Sequence, residues 1–207
     1  NGTNADVKWF DVPRCFIFHI MNSYDRGDEV IVDAARYDQL WVKSSHDFFH
    51  PAHLSRFSMN MKTGAVSVDR LYDKPMEFPQ VNRARWTRDY RYGYSVVVDE
   101  VNDSPERIQD AAGGLRKYDV QTGESDEWRP GVAHTPGEPI YIPASDSGGG
   151  EDEGFLVTFV YDKSRDKSSF CLFDAQRLSA GPIARVELPV RVPVGFHGTW
   201  VPDSVMG

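Results

Sequence analysis

The chain has 207 residues, of which 40% are hydrophobic and 13% aromatic, so it can bury a sizeable core. Its formal net charge of −8 argues against the basic surface that nucleic-acid binding requires. It contains no apolar run of membrane-spanning length, and its first residues, NGTNADVKWFD, lack the pattern of a secretory signal. We therefore expect an intracellular protein, in the cytoplasm or a plastid, that is not secreted and binds no nucleic acid.

Strand signals dominate the chain. Short runs rich in Val, Ile, Phe and Tyr recur between turn clusters such as YDRGDE and SDSGGGED, and several runs alternate apolar and polar residues. Both cysteines, Cys15 and Cys171, fall in such runs, and two cysteines predict buried reduced thiols rather than a disulfide framework. In chain order the predicted strands are CFIFHIMN, EVIVDAARY, GYSVVVDEV, GFLVTFVYD, SFCLFDA and ARVELPVRV.

A hairpin plan occurs twice, in residues 54–73 and 115–131. Each copy places Thr-Gly between two strand-like segments, and glycine there supplies a positive φ at little steric cost. Repeated hairpins are typical of propeller blades, and at roughly forty residues a blade the chain has room for about four or five. The strand pattern has already begun at the first residues, so we expect part of a longer, all-β propeller chain.

Three of the six histidines, His46, His50 and His53, lie together in SSHDFFHPAHLSR. Their i, i+4, i+7 spacing would put them on one face of a helix, where they could offer three nitrogens to zinc. Pro51 interrupts such a helix. The stretch therefore favours a loop leading into the strand LSRFSMN, and a hydrolytic zinc site remains an alternative.

His19 and His197 have a different setting, because each follows a phenylalanine in an apolar run, Phe18 and Phe196. A lone histidine in such a place is usually a hydrogen-bonded core residue. The alternative is a metal ligand.

Two glutamates support the metal hypothesis, since Glu77 and Glu138 stand beside or near prolines among apolar neighbours. A buried carboxylate is costly unless it is paired. A metal-bound imidazole commonly donates its second ring N–H to a carboxylate. Two histidines and two buried glutamates together suggest two Glu–His pairs.

Six motifs then follow one another along the chain: FHIMNSYD, MEFPQVN, GEPIYIP, EDEGFLVTFVYD, FDAQRL and LPVRVPVGFHGTW. In this order they resemble the successive signatures of the carotenoid cleavage oxygenases, over about Trp9 to Val201. The resemblance implies a seven-bladed β-propeller, of which residues 1–207 form the C-terminal portion of one domain without its N-terminal half. It also implies a non-haem Fe(II) enzyme that splits a double bond of an apolar polyene with O₂.

Carried over residue by residue, the resemblance makes His19 the third iron ligand and His197 the fourth, each on an inner strand facing the propeller axis. Glu77 matches the carboxylate that braces His19, and Glu138 the one that braces His197. Phe18 and Phe196 match aromatic positions near the substrate tunnel.

The first two iron histidines and the first bracing glutamate have no match in this chain, so the resemblance implies that the isolated chain is inactive. It also implies membrane contact in the full-length protein, a family trait linked to substrate uptake. Carotenoids, apocarotenoids and stilbenes all fit as substrates. The main alternative is a non-catalytic β-propeller binding module, and the two hypotheses differ in whether the imidazoles of His19 and His197 converge on one point.

Overall fold

The structure, a computed structural model, describes residues 2–39, 51–98, 112–145, 149–193 and 195–202. Within these ranges the chain forms thirteen β-strands and three short 3-10 helices, and no α-helix. No helix in this described part of the chain is long and apolar enough to cross a membrane. The prediction of an all-β fold is confirmed.

The first of three antiparallel sheets is a simple meander. It consists of β1 (Phe16–Arg26), β2 (Glu29–Tyr37), β3 (Ala52–Asn60) and β4 (Val66–Arg70), each paired with the next.

The second sheet repeats this plan with β5 (Met76–Val81), β6 (Tyr92–Val98), β7 (Ala112–Asp119) and β8 (Ser125–Trp128). Its strands also pair in chain order, so each sheet is a four-stranded unit of the kind that forms a propeller blade.

The third sheet has five strands because two short strands pair with the same neighbour. It contains β9 (His134–Pro136), β10 (Ile140–Pro143), β11 (Gly154–Asp162), β12 (Lys167–Asp174) and β13 (Pro182–Glu187). Both β9 and β10 pair with β11, each along a different part of it. The link between β9 and β10 therefore leaves the ladder, and Glu138 lies in this link.

The three sheets stack in chain order around two buried clusters. The first cluster lies between the first and second sheets and includes Met21, Tyr24, Ile31, Leu54, Met76, Tyr90 and Tyr118. The second lies between the second and third sheets and includes Tyr94, Leu115, Trp128, Leu156, Cys171 and Phe173.

The estimate of four or five blades is wrong for the described residues, which form three. Each sheet takes up more than fifty residues of chain, namely 16–70, 76–128 and 134–187. The described segments before β1 and after β13 contribute no further strand. Long links between strands account for the larger repeat.

The two predicted Thr-Gly hairpins are confirmed and are built alike. Gly64 (φ 77°) and Gly123 (φ 78°) both adopt positive φ in the turns β3–β4 and β7–β8. In each turn the glycine N–H donates to the carbonyl four residues earlier, that of Asn60 or Asp119, at 2.9 Å. The side chains of Asn60 and Asp119 also accept backbone N–H groups of their turns.

Both cysteines are free thiols, as predicted. Cys171 is buried in the second cluster, and this burial raises the pKa of its thiol. Cys15 is half-buried, just before β1, so the expectation of burial holds fully for Cys171 alone.

Candidate metal centre

His19 lies on β1 at a β-bulge. Ile17 pairs with Arg36 and Ile20 with Ala34, so β1 has one residue more than β2 over this stretch. A bulge interrupts the alternation of side chains and re-aims the residues beside it. The side chain of His19 is 21% exposed and turns toward β5 of the neighbouring sheet.

Glu77 lies on β5 at a second bulge. It pairs with Val96, and Gln80 pairs with Tyr94, so β5 has one residue more than β6 over this stretch. Phe78, inside the bulge, has a φ of 52°. For a bulky side chain this left-handed conformation is an outlier, which costs about 1–3 kcal/mol and is typical of functional sites.

The carboxylate of Glu77 holds His19 in place. His19 Nδ1 lies 2.6 Å from Glu77 Oε2, which also accepts the N–H of Phe78 at 2.7 Å. The hydroxyl of Tyr37, at the end of β2, donates to the other oxygen at 2.5 Å. Glu77 is buried and contacts the His19 ring at hydrogen-bond distance, which confirms the predicted pair.

The carboxylate of Glu138 holds His197 in the same manner. Glu138 Oε1 lies 3.1 Å from His197 Nδ1 and accepts an N–H of the Gln80 amide at 2.6 Å. Its Oε2 accepts the backbone N–H of Gly198 at 2.8 Å. The Glu138 side chain is 6% exposed, so this predicted pair is confirmed too.

His197 does not lie on a strand, which corrects the expectation that both histidines occupy inner strands. It lies in an irregular segment, residues 195–202, that follows β13. Pro189 and Pro193 precede it, and proline has no N–H for a strand ladder. Arg83 fixes the segment instead, because its guanidinium donates to the hydroxyl of Thr199 and, at 3.2 Å, to the carbonyl of Trp200.

The two imidazoles converge. His19 Nε2 and His197 Nε2 lie 3.2 Å apart, and the ring centroids are 4.9 Å apart. A carboxylate can only accept hydrogen bonds, so each Nδ1 carries the proton it donates. In the neutral rings both Nε2 lone pairs then face each other, an arrangement that favours a cation between them.

The donor set fits a metal ion. Two nitrogens bound to one metal at about 2.0–2.1 Å, with cis or tetrahedral angles, lie about 2.8–3.4 Å apart. The 3.2 Å separation falls within this range. Among the described residues no group of three or more His, Cys, Asp or Glu side chains could hold a metal ion, so this part of the chain brings two imidazole ligands together. This convergence favours a metal site over a non-catalytic binding module.

The charges around His19 favour a cation as well. Burial lowers the pKa of His19, but the hydrogen bond to Glu77 and the charges of Glu77 and Glu138 together raise it by more. The pKa of His19 therefore lies above its usual value. A positive charge is stabilised at this point whether a proton or a metal supplies it.

Aromatic side chains surround the imidazoles. The ring centroid of Phe78 lies 5.0 Å from that of His19 and 5.9 Å from that of His197. The ring centroid of Phe18 lies 6.3 Å from that of His19. Phe196, next to His197 in the chain, is 76% exposed. A cavity of about 380 Å³ opens beside His197, and its walls are mainly apolar.

Three residues that contact this site, Phe78, Gln80 and Tyr37, were not predicted from the sequence. Phe78 and Gln80 both belong to the motif MEFPQVN, in which Glu77 alone was predicted to be a site residue. Tyr37 ends a predicted strand, and nothing local to it indicates that its hydroxyl reaches Glu77.

The alternative zinc site on His46, His50 and His53 finds no support. His53 lies on β3, where it pairs with Arg36, and a strand cannot be part of the required helix face. His46 and His50 lie outside the described residues.

Sequence comparison decides the family. The model of the family described as RPE65, retinal pigment epithelial membrane protein, matches residues 1–202. The chain belongs to this family, that of the carotenoid cleavage oxygenases.

Two relatives in the RPE65 family show the level of similarity. The carotenoid 9,10(9′,10′)-cleavage dioxygenase of Crocus sativus is 32% identical over 96% of this chain and 38% of its own length. The carotenoid cleavage oxygenase of Mycobacterium tuberculosis is 33% identical over 98% of this chain and 41% of its own length. The chain therefore spans about two fifths of the length of these relatives.

Solved structures of other proteins have the same fold. The lignostilbene dioxygenase of Pseudomonas brassicacearum matches with a TM-score of 0.83 and 28% identity, over 96% of this chain and 44% of that one. The cobalt-substituted ACO of Synechocystis matches with a TM-score of 0.83 and 26% identity, over 94% of this chain and 41% of that one. The prediction of an incomplete set of propeller blades is confirmed.

Proposed function

We propose that the complete protein carrying this chain is a non-haem Fe(II) dioxygenase that cleaves a carbon–carbon double bond of an apolar polyene or stilbene with O₂. The observation that carries the proposal is the convergence of His19 Nε2 and His197 Nε2, each ring held through Nδ1 by a buried carboxylate. The relatives named carotenoid cleavage dioxygenase and lignostilbene dioxygenase support the reaction and the substrate class.

Iron suits the donors that are present. Imidazole is a good ligand for Fe(II). Neutral imidazoles bring no charge, so the carboxylates of Glu77 and Glu138 offset the charge of a cation. When bound, Fe(II) would supply the binding and activation of O₂.

The protein's own residues orient the donors and line the site with apolar surface. Glu77 and Glu138 keep the proton of each ring on Nδ1 and leave Nε2 free to bind a metal. Phe18, Phe78 and Phe196 surround the imidazoles with apolar surface. The transfer of an apolar polyene from water to such a surface lowers the free energy, whereas the transfer of a polar substrate does not.

The test is turnover by the complete protein. It is prepared without metal, loaded with Fe(II) under anaerobic conditions, and supplied with a carotenoid, an apocarotenoid or a stilbene under ¹⁸O₂. We expect iron-dependent oxygen uptake and carbonyl products that carry ¹⁸O. Absence of cleavage of all three substrates by the iron-loaded protein would contradict the proposal.

A further inference from the structure

We propose that Gln80 is a positioning residue for the second histidine: its amide fixes Glu138 and, through it, His197. The strand β5 then controls both imidazoles, one through Glu77 and the other through Gln80. The inference rests on the proposed function in treating His197 as a metal ligand, and it adds a residue to which neither the motifs nor the family match assigns a role.

The hydrogen bond from Gln80 to Glu138 is short, and it ends on the same oxygen that accepts from His197. Gln80 Nε2 donates to Glu138 Oε1 at 2.6 Å, and the same oxygen accepts from His197 Nδ1 at 3.1 Å. The second oxygen of Glu138 accepts from Gly198 at 2.8 Å. With both oxygens engaged, the plane of the carboxylate is fixed, and an amide donor achieves this without adding charge to the site.

His197 and Glu138 need such an anchor because neither lies on a strand. His197 belongs to the segment 195–202, and its side chain is 57% exposed. Glu138 lies in the link between β9 and β10. Gln80 lies in the ladder of the second sheet, where it pairs with Tyr94. Its amide therefore ties an irregular part of the third sheet to a hydrogen-bonded strand of the second.

The bulge in β5 explains how one strand reaches both carboxylate–histidine pairs. Residues three apart in a regular strand point to opposite faces. The extra residue between Glu77 and Gln80 lets both side chains reach the site, Glu77 to His19 and Gln80 to Glu138. The left-handed backbone of Phe78, at φ 52°, is the local distortion that this arrangement requires.

The first experiment measures metal binding by the complete protein with Co(II), a spectroscopic substitute for Fe(II). The variant Gln80→Met keeps the length and flexibility of the side chain and removes the N–H donor. We expect affinity to fall by about three- to tenfold, less than the roughly 10–100-fold expected for loss of a bracing carboxylate. We also expect a changed ligand-field spectrum and an unchanged Tm. The matched control is Gln121→Met in the exposed β7–β8 turn, which should leave all three unchanged.

A double-mutant cycle tests whether Gln80 acts through Glu138. In the Glu138→Gln background, Gln80→Met should cause no further loss, because residues that act through one contact are not additive. Unchanged affinity and spectrum for Gln80→Met, or equal losses in both backgrounds, would overturn the proposal.

A second measurement on the metal-free protein separates this inference from the proposed function. With ¹⁵N-labelled histidine, Gln80→Met should shift the ring signals of His197 more than those of His19, whose own carboxylate Gln80 does not contact. Unchanged His197 signals would overturn the positioning role even if the protein binds iron. If the unsubstituted protein takes up no metal, the proposed function fails, and the NMR result still decides the role of Gln80.

Discussion

The two buried carboxylates of the site are saturated with hydrogen bonds. Glu77 and Glu138 each accept three, one from a histidine ring and the others from neighbouring backbone or side-chain donors. Charge-assisted hydrogen bonds of this kind are shorter and stronger than neutral ones. The orientation of each imidazole is therefore set by a carboxylate that is itself fixed.

We expect Glu138→Gln or Glu77→Gln to weaken Fe(II) binding by the complete protein by about 10–100-fold. The amide keeps the shape of the side chain, but it brings no charge and places an N–H among donors. Anaerobic Fe(II) titration measures the change, with Glu124→Gln in the exposed β7–β8 turn as the control. Iron binding that matches the unsubstituted protein would count against a bracing role.

The carboxylate of Asp119, outside the site, makes the stability of the fold depend on pH. The Arg91 guanidinium donates to Asp119 at 2.6 and 2.8 Å and lowers the pKa of that carboxyl from 3.8 to about 2. Because the pKa is lower in the folded state, the contact stabilises the fold above about pH 4. This stabilisation is lost as the pH falls toward 2.

The test variant is Asp119→Asn, since Asn60 makes the same turn hydrogen bonds in the first hairpin. Its Tm should lie below that of the unsubstituted protein at pH 6, and the difference should shrink at pH 3. Asp28→Asn, at an exposed carboxylate, is the control. A Tm difference of equal size at both pH values would contradict this account.

The histidines and glutamates of the site could be predicted from the sequence, but the residues that hold the glutamates in place could not. His19, His197, Glu77 and Glu138 stand out because each is a polar residue in an apolar run. The contacts of Tyr37 and Gln80 form across sheets, with residues 40 and 58 positions away. No local pattern encodes such a pairing, so it became visible only in the folded chain.

One turn, residues 83–88, connects the two histidine-bearing elements. Asn22, three residues after His19 on β1, donates to the carbonyls of Arg85 and Arg88 at 3.0 Å. The same turn presents Arg83, which binds the segment 195–202. The turn thus links β1 to the segment that carries His197.

We expect Arg83→Ala to loosen the segment 195–202 without unfolding the sheets. Amide hydrogen exchange of the complete protein should become faster in this segment, with little change in β5 or β6. The control is Arg88→Ala, an exposed neighbour in the same turn. Equal exchange of the segment in the parent and the Arg83 variant would contradict the role of this contact.

Strand positions could be predicted from the sequence, but registers could not. Alternating apolar residues marked β1, β2, β6, β11 and β12, and Thr-Gly marked two turns. The bulges at His19 and Phe78 depend on which residues face them across the ladder. The prediction that His197 lies on a strand was wrong. The apolar residues around it are typical of a strand, but the prolines and glycines among them prevent regular backbone pairing with a neighbouring strand.

At the scale of the whole molecule, the described residues form an open stack of three sheets, and no other described segment covers its two outer faces. Phe16, Phe18 and Ile20 of β1 are 37–56% exposed at one end of the stack. Ile183 and Val186 of β13 are 56% and 58% exposed at the other. Exposed apolar sheet faces and unpaired edges favour association between chains.

We expect residues 1–207 expressed alone to associate and to show no alkene cleavage, because two histidines provide too few protein donors for tight Fe(II) binding. Light scattering and oxygen uptake with a carotenoid and a stilbene check both points, with the complete protein as the control. Iron-dependent turnover at the rate of the complete protein would show that this chain suffices for the reaction.

We expect His19 and His197 to bind the same iron atom. Anomalous diffraction at the iron edge, from crystals of the complete protein loaded with Fe(II), tests this most directly. We predict one iron peak within bonding distance of both Nε2 atoms, about 2.0–2.1 Å, as for other metal–imidazole bonds. An iron peak elsewhere, or one that touches only one of the two rings, would contradict it.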